Sequence, residues 1–155
     1  MKPVFYLLAG PNGAGKSTLY KALLAAGQIP KDAEFVNADL HEAAHLQHIP
    51  DAQQRSEAAR QWADRRRDEL LAAGQSFVSE TVFSHESKLA LIAQAQDKGF
   101  FVLLLVVCMD HPERLLKRVS QRVGEGGHDV PAERILARYP RTLGNLQKAV
   151  RLADA

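Results

Sequence analysis

Val4-Phe5-Tyr6-Leu7-Leu8-Ala9, running directly into Gly10-Pro11-Asn12-Gly13-Ala14-Gly15-Lys16-Ser17-Thr18, is the stretch on which the reading of this chain turns. The opening residues are apolar throughout rather than alternating, the pattern of a strand covered on both faces of a parallel sheet. Gly10 to Ser17 then satisfies G-x-x-x-x-G-K-[ST] at every fixed position, and Thr18 to Ala26 has helical spacing. A strand, a glycine turn and a helix in that order make a phosphate cradle. The glycines let backbone N–H groups converge on oxygens, and the helix start adds about half a positive charge. Lys16 is expected to reach the outer phosphates and Ser17 to ligate Mg²⁺. The ligand implied is a nucleoside triphosphate, bound by Gly10 to Thr18.

Outward from this loop, short apolar runs take turns with helical stretches. Glu34 to Ala38, Phe77 to Val82 and Phe100 to Val107 read as strands, and a long Ala/Gln/Arg-rich region ending at Ala73 reads as a helix. Gly27, Gly74 and Gly99 each follow a helical segment, where a left-handed glycine would end it. The class is therefore α/β, a central parallel sheet with helices on its faces. At 155 residues the chain fits one domain, 1–155, with no linker, repeat or low-complexity segment.

Composition excludes several classes. No apolar run is long enough to cross a bilayer, and the N-terminus has no secretory pattern. The single cysteine, Cys108, lies in an apolar run and reads as a small buried residue, which excludes a disulfide scaffold and points to a reducing cytoplasm. Net charge is only +2, and no basic, aromatic-interleaved stretch marks a nucleic-acid platform. The charge is uneven, however: Arg114 to Arg151 holds nine Lys/Arg against three acids. Within it, Arg118, Arg122, Arg138 and Arg141 flank Gly124-Glu125-Gly126-Gly127-His128, the composition of a basic lid that closes over a transferring phosphoryl group.

Two strand-end acids are candidate reacting groups. Asp39 follows the second strand, at the edge of the sheet where ligands bind, and can serve as the base for a substrate hydroxyl or as a helix N-cap. Glu80 closes the third strand, and with Thr81 is a candidate for contact with substrate or with water on Mg²⁺. His41-Glu42-Ala43-Ala44-His45 also matches H-E-x-x-H, with His48 further along the same face, so a zinc site competes with a solvated helix there. Arg65-Arg66-Arg67, among Asp64, Asp68 and Glu69, reads as a balanced solvated face.

With these residues in hand, the chain resembles the zeta-toxin family of P-loop kinases. Gly10 to Thr18, Asn37-Ala38-Asp39, Glu80-Thr81 with Ser84, and above all Gly126-Gly127-His128-Asp129-Val130-Pro131 leading to Arg138-Tyr139-Pro140-Arg141 and Asn145-Leu146 carry the likeness. The resemblance implies a nucleotide-kinase-like fold with a sheet of about four to five strands and a basic lid. It also implies ATP-dependent phosphorylation of a sugar hydroxyl, with UDP-N-acetylglucosamine as the acceptor. Carried over by motif, Lys16 holds the phosphates, Ser17 the Mg²⁺, and Asp39 is the base. Glu80 and Thr81 contact the sugar nucleotide, and Arg122, Arg138 and Arg141 make the lid contacts. A small antitoxin protein is implied as partner. Members often have two adjacent arginines where this chain has Ala137-Arg138. They usually continue past the last helix into a further strand, which the resemblance implies is lacking here. A housekeeping metabolite kinase and an ATP-binding protein without transfer remain the alternative readings.

Overall fold

A computed structural model describes residues 2–10, 15–82, 86–107 and 143–155. Pro11, Asn12, Gly13, Ala14, Ser84 and Cys108 lie outside the described residues, as do the Gly124–Pro131 segment and the lid arginines Arg118, Arg122, Arg138 and Arg141.

Four strands, β1 (Val4–Ala9), β2 (Glu34–Val36), β3 (Phe77–Thr81) and β4 (Phe101–Val106), form one sheet in the order β2-β3-β1-β4, and every pairing is parallel. The four apolar runs read from the sequence are these strands, β1 with the bounds expected and the other three shorter by one or two residues. Between them come α1 (Lys16–Ala25), α2 (Ala38–His45), α3 (Ala52–Ala73), a 3₁₀ turn (Glu86–Leu89) and α4 (Ala90–Asp97). Residues 143–152 are helical.

Both faces of the sheet are covered, which is why β1 has no polar side. Phe5, Leu7 and Ala9 join Val36, Phe77 and Val102 under Ala63, Leu70 and Leu71 of α3, Ile92 and Ala95 of α4, and Leu146 and Ala149. Leu8 and Val78 face the other way, against Leu19, Leu23 and Leu24 of α1. Phe5 stacks on Phe77 with ring centroids 4.5 Å apart, tying β1 to β3. Gly27, Gly74 and Gly99 all have positive φ, and the Gly74 N–H reaches Leu70 and Leu71 carbonyls at the end of α3.

Helix α3 is held at both ends and from the side. The Asp51 side chain accepts from the N–H groups of Gln53 and Gln54 at 2.8 and 3.3 Å. Arg66 grips both carboxylate oxygens of Glu34 on β2, at 2.6 and 2.7 Å, and this hydrogen bonding holds the Glu34 carboxyl below its ordinary pKa. At the outer edge of β4, the Leu104 N–H donates to the Ala155 carbonyl at 2.9 Å, and the Ala155 N–H to the Val102 carbonyl at 3.2 Å. That is the spacing of a parallel ladder centred on Leu103. No described helix is long and apolar enough to cross a membrane.

Candidate active site

The site is built where β1, β3 and β2 end together. Leu8 is level with Glu80 and Ala9 with Thr81, while Leu7 and Val36 are both level with Ser79. Gly10, Glu80, Thr81 and the Asn37-Ala38-Asp39 turn therefore share the carboxyl edge of the sheet, which in open α/β sheets is the ligand edge. The Gly10 N–H donates to the Thr81 carbonyl at 3.2 Å, and the Val107 N–H to the Ala9 carbonyl at 2.8 Å, so the glycine turn leaves the sheet held from both sides.

Helix α1 begins at this edge. Gly15 precedes it in a left-handed conformation, φ 101° and ψ 24°, and among the described residues neither a capping side chain nor a first-turn acid neutralises its start. A helix start without an acidic cap is the kind of place where anions bind. Lys16 is buried, with its ammonium donating to the Gly10 carbonyl at 2.7 Å, so the cation is turned into the loop. Ser17 follows half-buried, and Thr18 is exposed. The described donors, the helix start, the Lys16 ammonium and the Ser17 hydroxyl, are of the kinds that phosphates and Mg²⁺ take.

Asp39 does not cap α2. Asn37 does, its buried side chain accepting from the N–H groups of Asp39 and Leu40 at 2.9 and 3.2 Å. The competing reading of Asp39 as an N-cap is thereby corrected: the carboxylate stands exposed in the first helical turn. Glu80 and Thr81 are half-buried, and each makes contacts in the folded chain.

The zinc reading meets a different arrangement. The Glu42 carboxylate, which would be the base, is buried and accepts from Arg55 Nε at 3.1 Å, while Arg55 also holds the Ile49 carbonyl at 2.9 Å. The His41 ring lies flat on Trp62, centroids 3.8 Å apart and planes within 3°. Burial first, then the neighbouring His45, hold the His41 pKa below its ordinary value. Among the described residues no group of three or more His, Cys, Asp or Glu could hold a metal ion. These side chains dock α2 on α3.

Arg67 was expected on a solvated face, and there the structure differs. It is buried in the stripe Ala59, Ala63, Arg67, Leu70, Leu71 that α3 turns to the sheet, bonding Ser79 Oγ at 3.3 Å and Asp64. Ser79 Oγ also lies 3.4 Å from the Val36 carbonyl that it donates to, so a polar thread crosses from α3 to the end of β2. Lys88, on the 3₁₀ turn, is half-buried near Arg67 and was singled out by no motif. The four-residue stripe spacing of Arg67 was the available signal, masked by the acidic residues around it in sequence.

The family model described as Zeta toxin matches residues 1–153. This chain belongs to the zeta-toxin family. No curated protein sequence matches it. Among solved structures, this zeta-toxin chain is similar to one from the PezAT chromosomal toxin-antitoxin system of the human pathogen Streptococcus pneumoniae, with TM-score 0.74 and 18% identity over 97% of this chain and 63% of that one. It is similar to AvrRxo1-ORF1:AvrRxo1-ORF2 crystallised with ATP, with TM-score 0.75 and 21% identity over 97% of this chain and 50% of that one. A chain of the Pnkp1/Rnl/Hen1 RNA repair complex is matched with TM-score 0.72 and 18% identity, over 94% of this chain and 46% of that one. The zeta-toxin chain thus spans between 46% and 63% of the lengths of these proteins. At such identities the likeness shows the fold: an α/β, kinase-like parallel sheet with the glycine loop after its first strand.

Proposed function

We propose that this zeta-toxin family member is an ATP-dependent kinase that phosphorylates a hydroxyl of a small acceptor, with UDP-N-acetylglucosamine as the leading acceptor. The observation that carries the reading is the Lys16 ammonium held in the glycine loop at 2.7 Å from the Gly10 carbonyl, on the sheet edge that also bears Asp39, Glu80 and Thr81. Membership of the family and the solved neighbour crystallised with ATP support it.

In this reading the N–H groups at the start of α1 and the Lys16 ammonium hold the ATP phosphates, and Ser17 is the protein's hydroxyl ligand for Mg²⁺. A bound Mg²⁺ would spread the charge of the phosphate oxygens. Asp39 takes the proton of the acceptor hydroxyl as its oxygen bonds to the γ-phosphorus. The bond from that phosphorus to the bridging oxygen breaks, and ADP leaves with the electron pair. Glu80 and Thr81 orient the sugar nucleotide, and Arg122, Arg138 and Arg141 are assigned the lid contacts by motif. An antitoxin protein partner belongs to the same reading, supported by the toxin-antitoxin system of the pneumococcal neighbour.

The test is incubation with ATP, Mg²⁺ and UDP-N-acetylglucosamine, followed by mass spectrometry and ³¹P NMR. A sugar nucleotide heavier by one phosphoryl group is the expected product. ADP formation that depends on another metabolite, with the sugar nucleotide unchanged, would favour the housekeeping kinase. ATP binding without transfer to any acceptor would leave a binding protein.

A further inference from the structure

Helix α2 carries Asp39, the base of the reading above, and cannot hold itself in place. It has eight residues, a length at which an isolated helix is marginal in water, so its position comes from what it packs on. Asp39 is exposed in its first turn, and among the described residues no side-chain hydrogen bond fixes its carboxylate. Asp39 therefore goes where α2 goes.

The support is α3, and two of its side chains make the join. Arg55 Nε donates to Glu42 Oε1 at 3.1 Å and its Nη1 to the Ile49 carbonyl at 2.9 Å, so one guanidinium holds both α2 and the connection that leads from it into α3. The Glu42 side chain is only 11% exposed and that of Arg55 24%, which keeps this pair out of bulk water. Two turns further along the same face of α3, Trp62 takes the His41 ring, with buried Ala59 between the two contacts. The Gln47 side-chain amide donates to the Glu42 carbonyl at 3.1 Å and closes the far end of α2.

Glu42 stands one helical turn from Asp39. Without Arg55 its buried carboxylate would lose its partner, and a stranded charge of that kind is driven back toward water. For Glu42 the way back to water is to lift α2, with Asp39 on it, away from α3. Resting on the kinase reading above, we propose that Arg55 is a positioning residue for the reaction: through Glu42 it sets where α2 presents the Asp39 carboxylate to the acceptor hydroxyl. Arg55 lies outside the motifs that carry the family likeness.

The experiment uses the full chain with ATP, Mg²⁺ and UDP-N-acetylglucosamine as the acceptor probe, reads kcat and KM from ADP release, and closes a double-mutant cycle with Asp39. Arg55→Met is expected to lower kcat by about ten- to a hundredfold, the usual result of misplacing a reacting group by about 1 Å. The KM for ATP should not change, because the glycine loop leaves β1, which β3 separates from β2 and α2. In an Asp39→Asn background the same substitution should lower kcat by less than about twofold, since no base is left to misplace. A merely structural loss would lower kcat by the same factor in both backgrounds. Should Arg55→Met fail to fold, Arg55→Lys keeps a cation beside Glu42 but gives up the fork that also reaches Ile49, and is expected to lower kcat about fivefold with the same non-additivity. Equal losses in the two backgrounds, or Arg55→Met turnover within about twofold of wild type, overturn the assignment. A wild-type chain that releases no acceptor-dependent ADP overturns the kinase reading instead. Amide hydrogen exchange at Asp39 and Leu40 then still reads the tether: it should quicken at least about tenfold in Arg55→Met while Leu7 and Leu8 keep their wild-type rates, and unchanged exchange overturns the tether as well.

Discussion

The α-carbon of Gly10 faces the main-chain carbonyl of Val107 so closely that a β-carbon built there would lie 2.0 Å from the oxygen. The neighbour is backbone and cannot swing away, so β1 and the chain leaving β4 would have to part where the glycine loop begins. Gly10→Ala is therefore expected to cost about 2 kcal/mol or more, as overpacking against an unyielding neighbour does, and to abolish nucleotide binding. Gly27, with open space at its β-carbon and φ +76°, is the control: Gly27→Ala should cost about 1 kcal/mol from backbone strain alone. Urea denaturation of the two variants checks the contrast, and equal midpoints would contradict it.

Lys16→Met keeps the buried stem and removes the ammonium. On the proposed kinase reading, phosphoryl transfer is expected to fall by about 10²-fold or more, the usual loss of a charge that stabilises the transferring group. Steady-state ADP release measures it, and a variant with wild-type turnover would rule out the assigned role of Lys16.

Asn37 and Asp39 are neighbours in sequence with separable duties. Asn37→Ala removes the cap of α2 and should cost about 1 kcal/mol of stability. Asp39→Asn leaves the cap in place, so its melting temperature should stay near wild type while turnover drops by about 10²–10⁴-fold. The pair is decided by measuring both quantities on both variants; an active Asp39→Asn enzyme would remove Asp39 as the base.

Glu34 links stability to acid pH. Its folded pKa lies below the ordinary 4.5 because Arg66 hydrogen-bonds the carboxylate, so the unfolded chain takes up a proton first as pH falls. The stabilisation is present above 4.5 and is lost as pH drops through the folded value. Wild type and Glu34→Gln should therefore differ in denaturation midpoint at neutral pH and converge in acid; a gap that stays constant with pH would argue against the ion pair as its source.

His41 gives the second pH dependence, in a higher window. Its folded pKa lies below 6.5, so stability declines as pH falls from 6.5 through the folded value, where the unfolded chain protonates more readily. The titratable group that acts on it is His45, on its own helix. His41→Phe keeps the ring on Trp62 and removes the proton, so its stability should be flatter across this window. Tryptophan fluorescence during denaturation at several pH values reports the difference.

Much of this architecture was legible beforehand because its signals are local. The unbroken apolar runs of β1 and β4 mark strands covered on both sides, the glycines at 27, 74 and 99 end helices by their positive φ, and the order of apolar run, glycines and helical spacing places α1 after β1. The resemblance to the zeta-toxin family came from motif spacing and is matched by the family model over residues 1–153. Three readings needed the fold. Whether Asn37 or Asp39 caps α2 depends on a side-chain torsion, the availability of Glu42 as a base depends on Arg55 thirteen residues away, and the fate of Arg67 depends on which face of α3 meets the sheet.

The division has one physical reason. Backbone conformation follows from the conformational preferences and apolar periodicity of a few consecutive residues, so strands, helices and the glycines that end helices were settled by the order of the amino acids. Partnership of charged groups follows from distances across elements far apart in sequence. Arg67, flanked by acids in the chain, becomes a buried cation over Ser79 only when α3 lies down on β3, and Lys88 becomes its neighbour only when the turn after β3 folds back toward α3.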